Sequence, residues 1–240
     1  MGHSKASKAN THARLVEAAA ARFKELGIDG ISLADLMKDL KLTHGGFYKH
    51  FGSRDELVTE ALALALTETG QAMRERLFPE GKPDVEAFVD FYLDEAHRDE
   101  RAAGCAVAAL AGDAARRSTD VREQFRESIE GNLDTLTEAL APRAGTSGGS
   151  AASAGARASP AEPRGAALLV LSALYGALIM ARAVGDSPLS SEILSTVRQR
   201  ILGLSAADKK LRRPPGDRKS RLKGSRSRSP NHSSKRSLGS

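Results

Sequence analysis

Along much of this chain apolar residues recur at intervals of three and four, the spacing that lines one face of an α-helix, and runs of Val, Ile and Thr that would mark strands are absent. Val16, Ala19, Phe23 and Leu26 form one stripe in a helix predicted over residues 8–26, and Gly27 stops it. Ser32 caps a second helix, with Asp35 at its third position, Ile31 stapled against Leu36, and Leu33, Leu36, Met37 and Leu40 on its buried face. Lys41 and Leu42 make a turn. Thr43 then caps a short helix reaching Phe51, with Leu42 and Phe47 as its staple and Phe47 and Phe51 four apart on the inward face. Ser53 and Glu56 have the spacing of a capping box, which opens a long helix from Arg54 to about Leu77.

Beyond Leu77 the periodicity continues with less regular punctuation. Residues 79–83 read as a loop, and Val85, Phe88, Val89, Tyr92 and Ala96 trace one helical face up to His97. Arg98–Arg101 reads as a charged, solvated turn, and Gly104–Ala111 begins a helix of small residues. A further helix over Val121–Leu140 points Phe125, Ile129, Leu133, Leu136 and Leu140 inward. Residues 143–163 hold Gly, Ser, Ala and Pro with almost nothing to bury, so a flexible loop is expected. Two helices follow, about Arg164–Val184 and Leu189–Leu204. The first is apolar nearly all round from Leu168 through Met180, and such a helix must be covered on more than one side. Residues 1–7 are small and polar, which suggests a flexible arm.

Charge divides the chain. Residues 205–240 carry 12 Lys+Arg against 2 Asp+Glu, a basic tail expected to be disordered. The rest is acidic overall, but residues 1–52 carry 8 basic against 5 acidic residues while residues 53–204 carry 16 against 23. A basic head on an acidic body suits a protein that presents one end to phosphate. No apolar segment reads as long enough to span a bilayer and no signal peptide is evident, so a cytoplasmic location is expected. The single cysteine excludes an intramolecular disulfide and a cysteine-rich zinc module. His97 stands among Asp94, Glu95, Asp99 and Glu100, but a lone histidine in a charged turn is better read as solvated than as a metal ligand, and neither metal nor cofactor is expected. Gly145–Gly149 satisfies the nucleophile-elbow pattern by chance, since no strand precedes it. With no paired acid, base or nucleophile in supporting context, an enzyme is not expected.

The 43–51 segment leaves His44, Gly45, Tyr48 and Lys49 facing outward. Two adjacent glycines cost about 1 kcal/mol each in a helix, which makes sense where something must approach the backbone closely. A DNA major groove is such a partner, and the segment reads as the recognition helix of a helix-turn-helix. The run from Ser32 to Phe51, followed by Gly52-Ser53-Arg54-Asp55-Glu56-Leu57, resembles the DNA-binding domain of the TetR family of transcriptional regulators, above all in Phe47-Tyr48-Lys49-His50-Phe51. The resemblance covers residues 8–66. Lys41 departs from it, standing in the turn where the family usually has glycine, and Gly46 departs by offering no side chain where Thr or Ala is usual.

This resemblance implies an all-α protein, with a three-helix helix-turn-helix domain over 8–66 and a helical effector-binding and dimerisation domain over 67–204. It implies DNA contacts from Ser32, Thr43, His44, Gly45, Tyr48, Lys49 and His50: Ser32 through its helix end, Thr43 as cap, His44 and Gly45 nearest the base edges, Tyr48 on phosphate and a thymine methyl, Lys49 and His50 on phosphates. Double-stranded DNA with an inverted-repeat operator, a second subunit and a small-molecule effector are the implied partners. A homodimeric repressor is the resulting reading, released by an apolar effector or by thiol modification. Phe88, Tyr92, Phe125 and Tyr175, together with Met73, Phe91 and Met180, are the large side chains available to an effector cavity. Cys105 reads either as a packed residue or as a sensor, because some TetR-like repressors sense electrophiles through a Gly-Cys segment and a helix N-terminus lowers a thiol pKa. The alternative class is a non-specific nucleic-acid-associated protein driven by the basic tail.

Overall fold

A computed structural model describes residues 2–141 and 161–211, and among these every regular element is helical. The chain divides into two units, residues 1–202 and 203–240, and the second contributes to the described residues only the end of the last helix. In chain order the helices are α1 (Gly2–Leu26), α2 (Leu33–Asp39), α3 (His44–Phe47), α4 (Arg54–Leu77), α5 (Val85–Tyr92), α6 (Glu95–Asp99), α7 (Ala106–Ala114), α8 (Thr119–Leu140), α9 (Ala161–Ala183) and α10 (Pro188–Leu211), with one 3₁₀ turn at Pro79–Gly81.

The local start signals act as their chemistry requires. Ser32 accepts from the Asp35 N–H, Thr43 from the Gly46 N–H and Ser53 from the Glu56 N–H, while the Glu56 carboxylate reaches back to the Gly52 N–H at 2.6 Å. Gly27, at φ +83°, ends α1, and its N–H donates back to the Phe23 carbonyl. Lys41 takes the left-handed conformation expected of the turn, φ +57°, at a cost of roughly 1–2 kcal/mol for a residue with a Cβ. Leu15, Ala19 and Phe23 from α1, Leu36 and Met37 from α2, Phe47, Phe51, and Leu57 and Ala61 from α4 close a common core. The Phe47 and Phe51 rings stack at 5.3 Å. In the body α4 packs on α1, α7 and α8, and α8 on α9.

Several expectations are corrected. The first helix begins at Gly2 rather than near residue 8, so the described part of the supposed flexible arm is helical. Once its packed second half is nucleated, each added residue gains a backbone hydrogen bond, and Thr11 adds a side-chain bond to the Ser7 carbonyl. The recognition helix is shorter than expected: α3 closes at Phe47 and continues as turns, with Lys49 N–H on the Gly46 carbonyl and His50 N–H on Phe47. The face traced over residues 85–97 belongs to two helices, because Asp94 caps a new one through the Ala96 N–H. His97 and Arg98, expected in solvent, are buried as a result.

Of the loop expected over residues 143–163, residues 161–163 are helical and the rest, including Gly145–Gly149, lies outside the described residues. Likewise α10 runs to Leu211, past the expected start of the tail at Ser205, and residues 212–240 lie outside. Against the expectation of no membrane-length segment, the stretch Pro163–Ala183 is long and apolar enough to cross a bilayer by length and composition alone, with mean hydropathy 1.9. The Ala and Gly residues that interrupt its leucines hide that length from a reading by large side chains. Its inner face is core, with Ala167, Leu171, Leu174, Leu178 and Ala181 buried.

Candidate nucleic-acid interface and effector cavity

The seven expected DNA-contacting residues lie at the N-caps of α2 and α3, in α3 itself and in the turns after it. Thr43, Gly45, Tyr48 and Lys49 are exposed, Tyr48 to 59% even though its ring meets Phe47 edge-on at 5.2 Å. Ser32 is exposed, but its hydroxyl donates to the Asp35 carboxylate at 2.6 Å, which sets an acidic group beside that helix end. His44 occupies the first position of α3. A Cβ built on Gly45 would meet nothing within 4 Å, so the backbone there is open to close approach. His50 differs from the others: it is half-buried, its Nδ1 is enclosed without a hydrogen-bond partner, and burial, followed by the nearby Lys8, His12 and Lys49 charges, lowers its pKa. Behind it His12 stacks on Phe51 at 4.4 Å and meets Glu60 at 2.7 Å, which braces the end of the motif against α1 and α4.

A cavity of about 390 Å³ opens between α1, α4, α5, α6, α9 and the Ala102–Cys105 segment that leads into α7. One face of α1 lines it through Glu17, Ala20, Ala21 and Lys24, and α4 contributes Glu68, Thr69, Ala72, Met73 and Arg76. Phe88, Phe91, Tyr92, Tyr175 and Leu171 make its walls largely apolar, and His97 and Cys105 complete them. Of the expected effector residues, the structure therefore gathers Phe88, Tyr92, Tyr175 and Cys105 with Met73 and Phe91. It does not include Phe125, which is buried in the core on α8, or Met180, which is exposed on α9.

The cavity's polar groups are strongly conditioned by burial. Desolvation pushes the Cys105 thiol up, and the weaker opposing pulls of Tyr92, of the Ala108 and Val107 amides and of Arg182 do not overcome it. The lowering expected from the helix N-terminus is thus reversed, because the sulfur is enclosed. The Tyr92 hydroxyl is raised well above its usual range, chiefly by burial, and neighbours the Cys105 thiol without completing a hydrogen bond. Tyr175 has the same cause and direction, with its hydroxyl accepting from the Asn132 amide at 3.0 Å. His97 donates its Nδ1–H to the Tyr92 carbonyl at 2.8 Å and stacks on Phe91; desolvation holds its pKa down. Gly104 permits the bend before Cys105, since a Cβ there would lie 2.8 Å from the Arg182 guanidinium and 2.9 Å from the Glu100 carbonyl. That guanidinium in turn donates to the His97 and Arg98 carbonyls at 3.0 Å.

Cavity and DNA-binding motif share a joint. Helix α7, about 13 Å long at 1.5 Å per residue, is preceded at the cavity wall by its N-cap residue Cys105. At its far end Asp113 accepts the Ile28 N–H at 3.0 Å, and just beyond, Arg117 pairs with Asp29. From the other side the Arg54 guanidinium donates to the Ile28 and Ile31 carbonyls. Sequence reasoning missed Lys24 and Asp113, and it set His97 aside as solvated where the structure buries it. For Lys24 a signal existed, since it stands four residues after Ala20 on the inward stripe of α1.

A helix-turn-helix head joined through shared helices to a helical body with an internal cavity is the architecture of a DNA-binding transcriptional regulator. Two family models match: "Bacterial regulatory proteins, tetR family" over residues 15–61, and "Transcriptional regulator LmrA/YxaF-like, C-terminal domain" over residues 83–189. The chain belongs to the TetR family of transcriptional regulators, proteins that regulate rather than catalyse. Among solved structures it is similar in fold to the reduced form of Escherichia coli NemR, at 20% identity and TM-score 0.62, covering 81% of this chain and 96% of that one. A TetR transcriptional regulator from Chloroflexus aurantiacus gives 20% identity and TM-score 0.65 over 83% and 96%. A TetR-family regulator from Agrobacterium tumefaciens gives 20% and 0.62 over 81% and 98%. No curated protein matches in sequence.

Proposed function

We propose that this regulator is a homodimeric repressor that binds an inverted-repeat operator through α3 and its flanking turns and is released when a small, largely apolar effector enters the cavity. The observation that carries the reading is the joint: α7 spans from the cavity wall at Cys105 to the Asp113 carboxylate that holds the Ile28 amide of the DNA-binding head. An occupant that shifts α7 or tilts α4, which runs from the head into the body, changes the separation of two recognition helices. That separation must stay near 34–36 Å, or a multiple, to match successive major grooves. Base and phosphate contacts are assigned to Thr43, His44, Gly45, Tyr48 and Lys49. Ser32 and His50 take supporting places, given the Asp35 carboxylate beside the one and the partial burial of the other. Release by modification of Cys105 is the less favoured route, because burial keeps the sulfur as a thiol.

Selection of binding sites from random duplex DNA, at near-physiological salt, tests the reading with the full chain and with residues 1–211, which keep α10 whole. An enriched inverted repeat from both proteins is the expected result. Enrichment lost with the tail, together with steep salt dependence, would instead favour the tail-driven non-specific binder.

A further inference from the structure

The cavity walls are apolar, yet they hold two hydrogen-bond donors that the fold leaves short of partners. Lys24 is only 8% exposed, and the carboxylate paired with it, Glu68 Oε2, stands 3.9 Å away on a side chain that is 55% exposed. That distance is beyond hydrogen-bonding reach. Tyr92 is 5% exposed, and its buried hydroxyl adjoins the weakly accepting Cys105 sulfur without completing a hydrogen bond to it. A buried donor without an acceptor is costly, and a buried cation more so, unless something completes it. Desolvation lowers the Lys24 pKa with only partial compensation from Glu68, which agrees with an under-paired charge, while the raised Tyr92 hydroxyl stays a donor. The other charged groups facing the cavity are Glu17, Glu68 and Arg76, all exposed and so solvated at its mouth.

Resting on the effector-cavity reading, we propose that the effector is a compact aromatic acid, its ring system against Phe88 and Tyr175 and its oxygens completing the Lys24 ammonium and the Tyr92 hydroxyl. The volume, near the lower end of the ~300–1,000 Å³ usual for small-molecule pockets, limits it to a few rings. The under-paired Lys24 charge on the cavity wall selects an anion over the cations that aromatic walls alone would also accept. Lys24 belongs to the last turn of α1 and stands four residues before Ile28, so the acid binds the DNA-binding head directly and pulls on the joint that Asp113 holds.

Calorimetric titration of the full chain without DNA tests this, using 2-naphthoate, 2-naphthamide and 2-naphthylmethylammonium as isosteric anion, neutral and cation. Naphthoate is expected to bind at least tenfold more tightly than either. Lys24→Met should abolish that preference while the melting temperature stays at or above that of the parent, and Tyr92→Phe, which removes one hydroxyl, should weaken naphthoate binding about fivefold. Equal binding of the amide, tighter binding of the cation, no naphthoate binding by the folded protein, or unchanged affinity in both variants would overturn the proposal. None of those results would touch operator recognition, which the site selection reads separately.

Discussion

Tyr48 carries the most exposed large hydrophobic side chain of the DNA-binding head, and its ring is steadied edge-on by Phe47, which is itself fully buried. A rigid exposed tyrosine just past a short helix is well placed for a phosphate and a thymine methyl at once. Tyr48→Ala should weaken operator binding by about 1–3 kcal/mol with no change in thermal stability; fluorescence anisotropy with labelled operator measures the first and calorimetry the second. An unchanged affinity would remove Tyr48 from the interface. A second prediction at this scale concerns His97, whose pKa is lowered by burial first, with Arg182 and Arg76 adding to it and the Tyr92 carbonyl and Asp94 opposing. The unfolded chain takes up a proton near pH 6.5 while the folded one resists, so this contribution is intact above that pH. It is lost progressively as pH falls from 6.5 towards the lower folded value. The melting temperature should therefore drop between pH 7 and 5, and His97→Gln should flatten the drop. The caps at Ser32, Thr43 and Ser53 were legible in the sequence because each is a contact across three residues. The inward turn of His97 was not, because it depends on where α6 packs.

At the scale of the element, α3 is stable only as a terminal turn: four residues, a Thr43 cap and two glycines that contribute nothing to helix propensity. Its brevity is a direct cost of Gly45 and Gly46, and sequence periodicity overestimated the helix because Phe47 and Phe51 keep their inward spacing even though the residues between them are turns. Since a Cβ on Gly45 meets nothing in the free protein, Gly45→Ala should raise stability by about 0.5–1 kcal/mol. If the backbone there faces a groove, the same methyl should lower operator affinity by about fivefold or more. Urea denaturation and an operator titration on one preparation decide it: a stabilised variant that binds DNA as well as the parent would mean that the glycines serve no close approach. Other elements show the same division between local and tertiary information. The starts of α2, α3 and α4 were readable, whereas the break between α5 and α6 needed the single Asp94 cap inside an otherwise continuous apolar face, and the extension of α1 past residue 8 had no apolar signal at all.

For the whole molecule the decisive feature is apolar surface left uncovered. Of the nine large hydrophobic side chains exposed among the described residues, six fall between Leu168 and Leu189, on α9, the turn after it and the start of α10, with Leu169 at 61% and Met180 at 51%. Such a concentration marks a surface meant for a partner, and the buried opposite face of α9 shows that the helix is already anchored in its own body. A second copy of the chain meeting it through the same face would form a closed, two-fold contact, with no further apolar surface on that helix left to propagate. Two recognition helices related by that axis would match an inverted repeat, and neither alone would hold it well. Leu169→Glu with Ile179→Glu places two charges on this face at positions that the isolated subunit leaves open. The double variant should keep its helical content and sediment as a monomer at micromolar concentration, and it should lose operator affinity by about a hundredfold, near 2.7 kcal/mol. A variant that still sediments as a dimer would move the subunit contact elsewhere on the body, and a monomeric one that binds the full operator undiminished would show that a single head suffices.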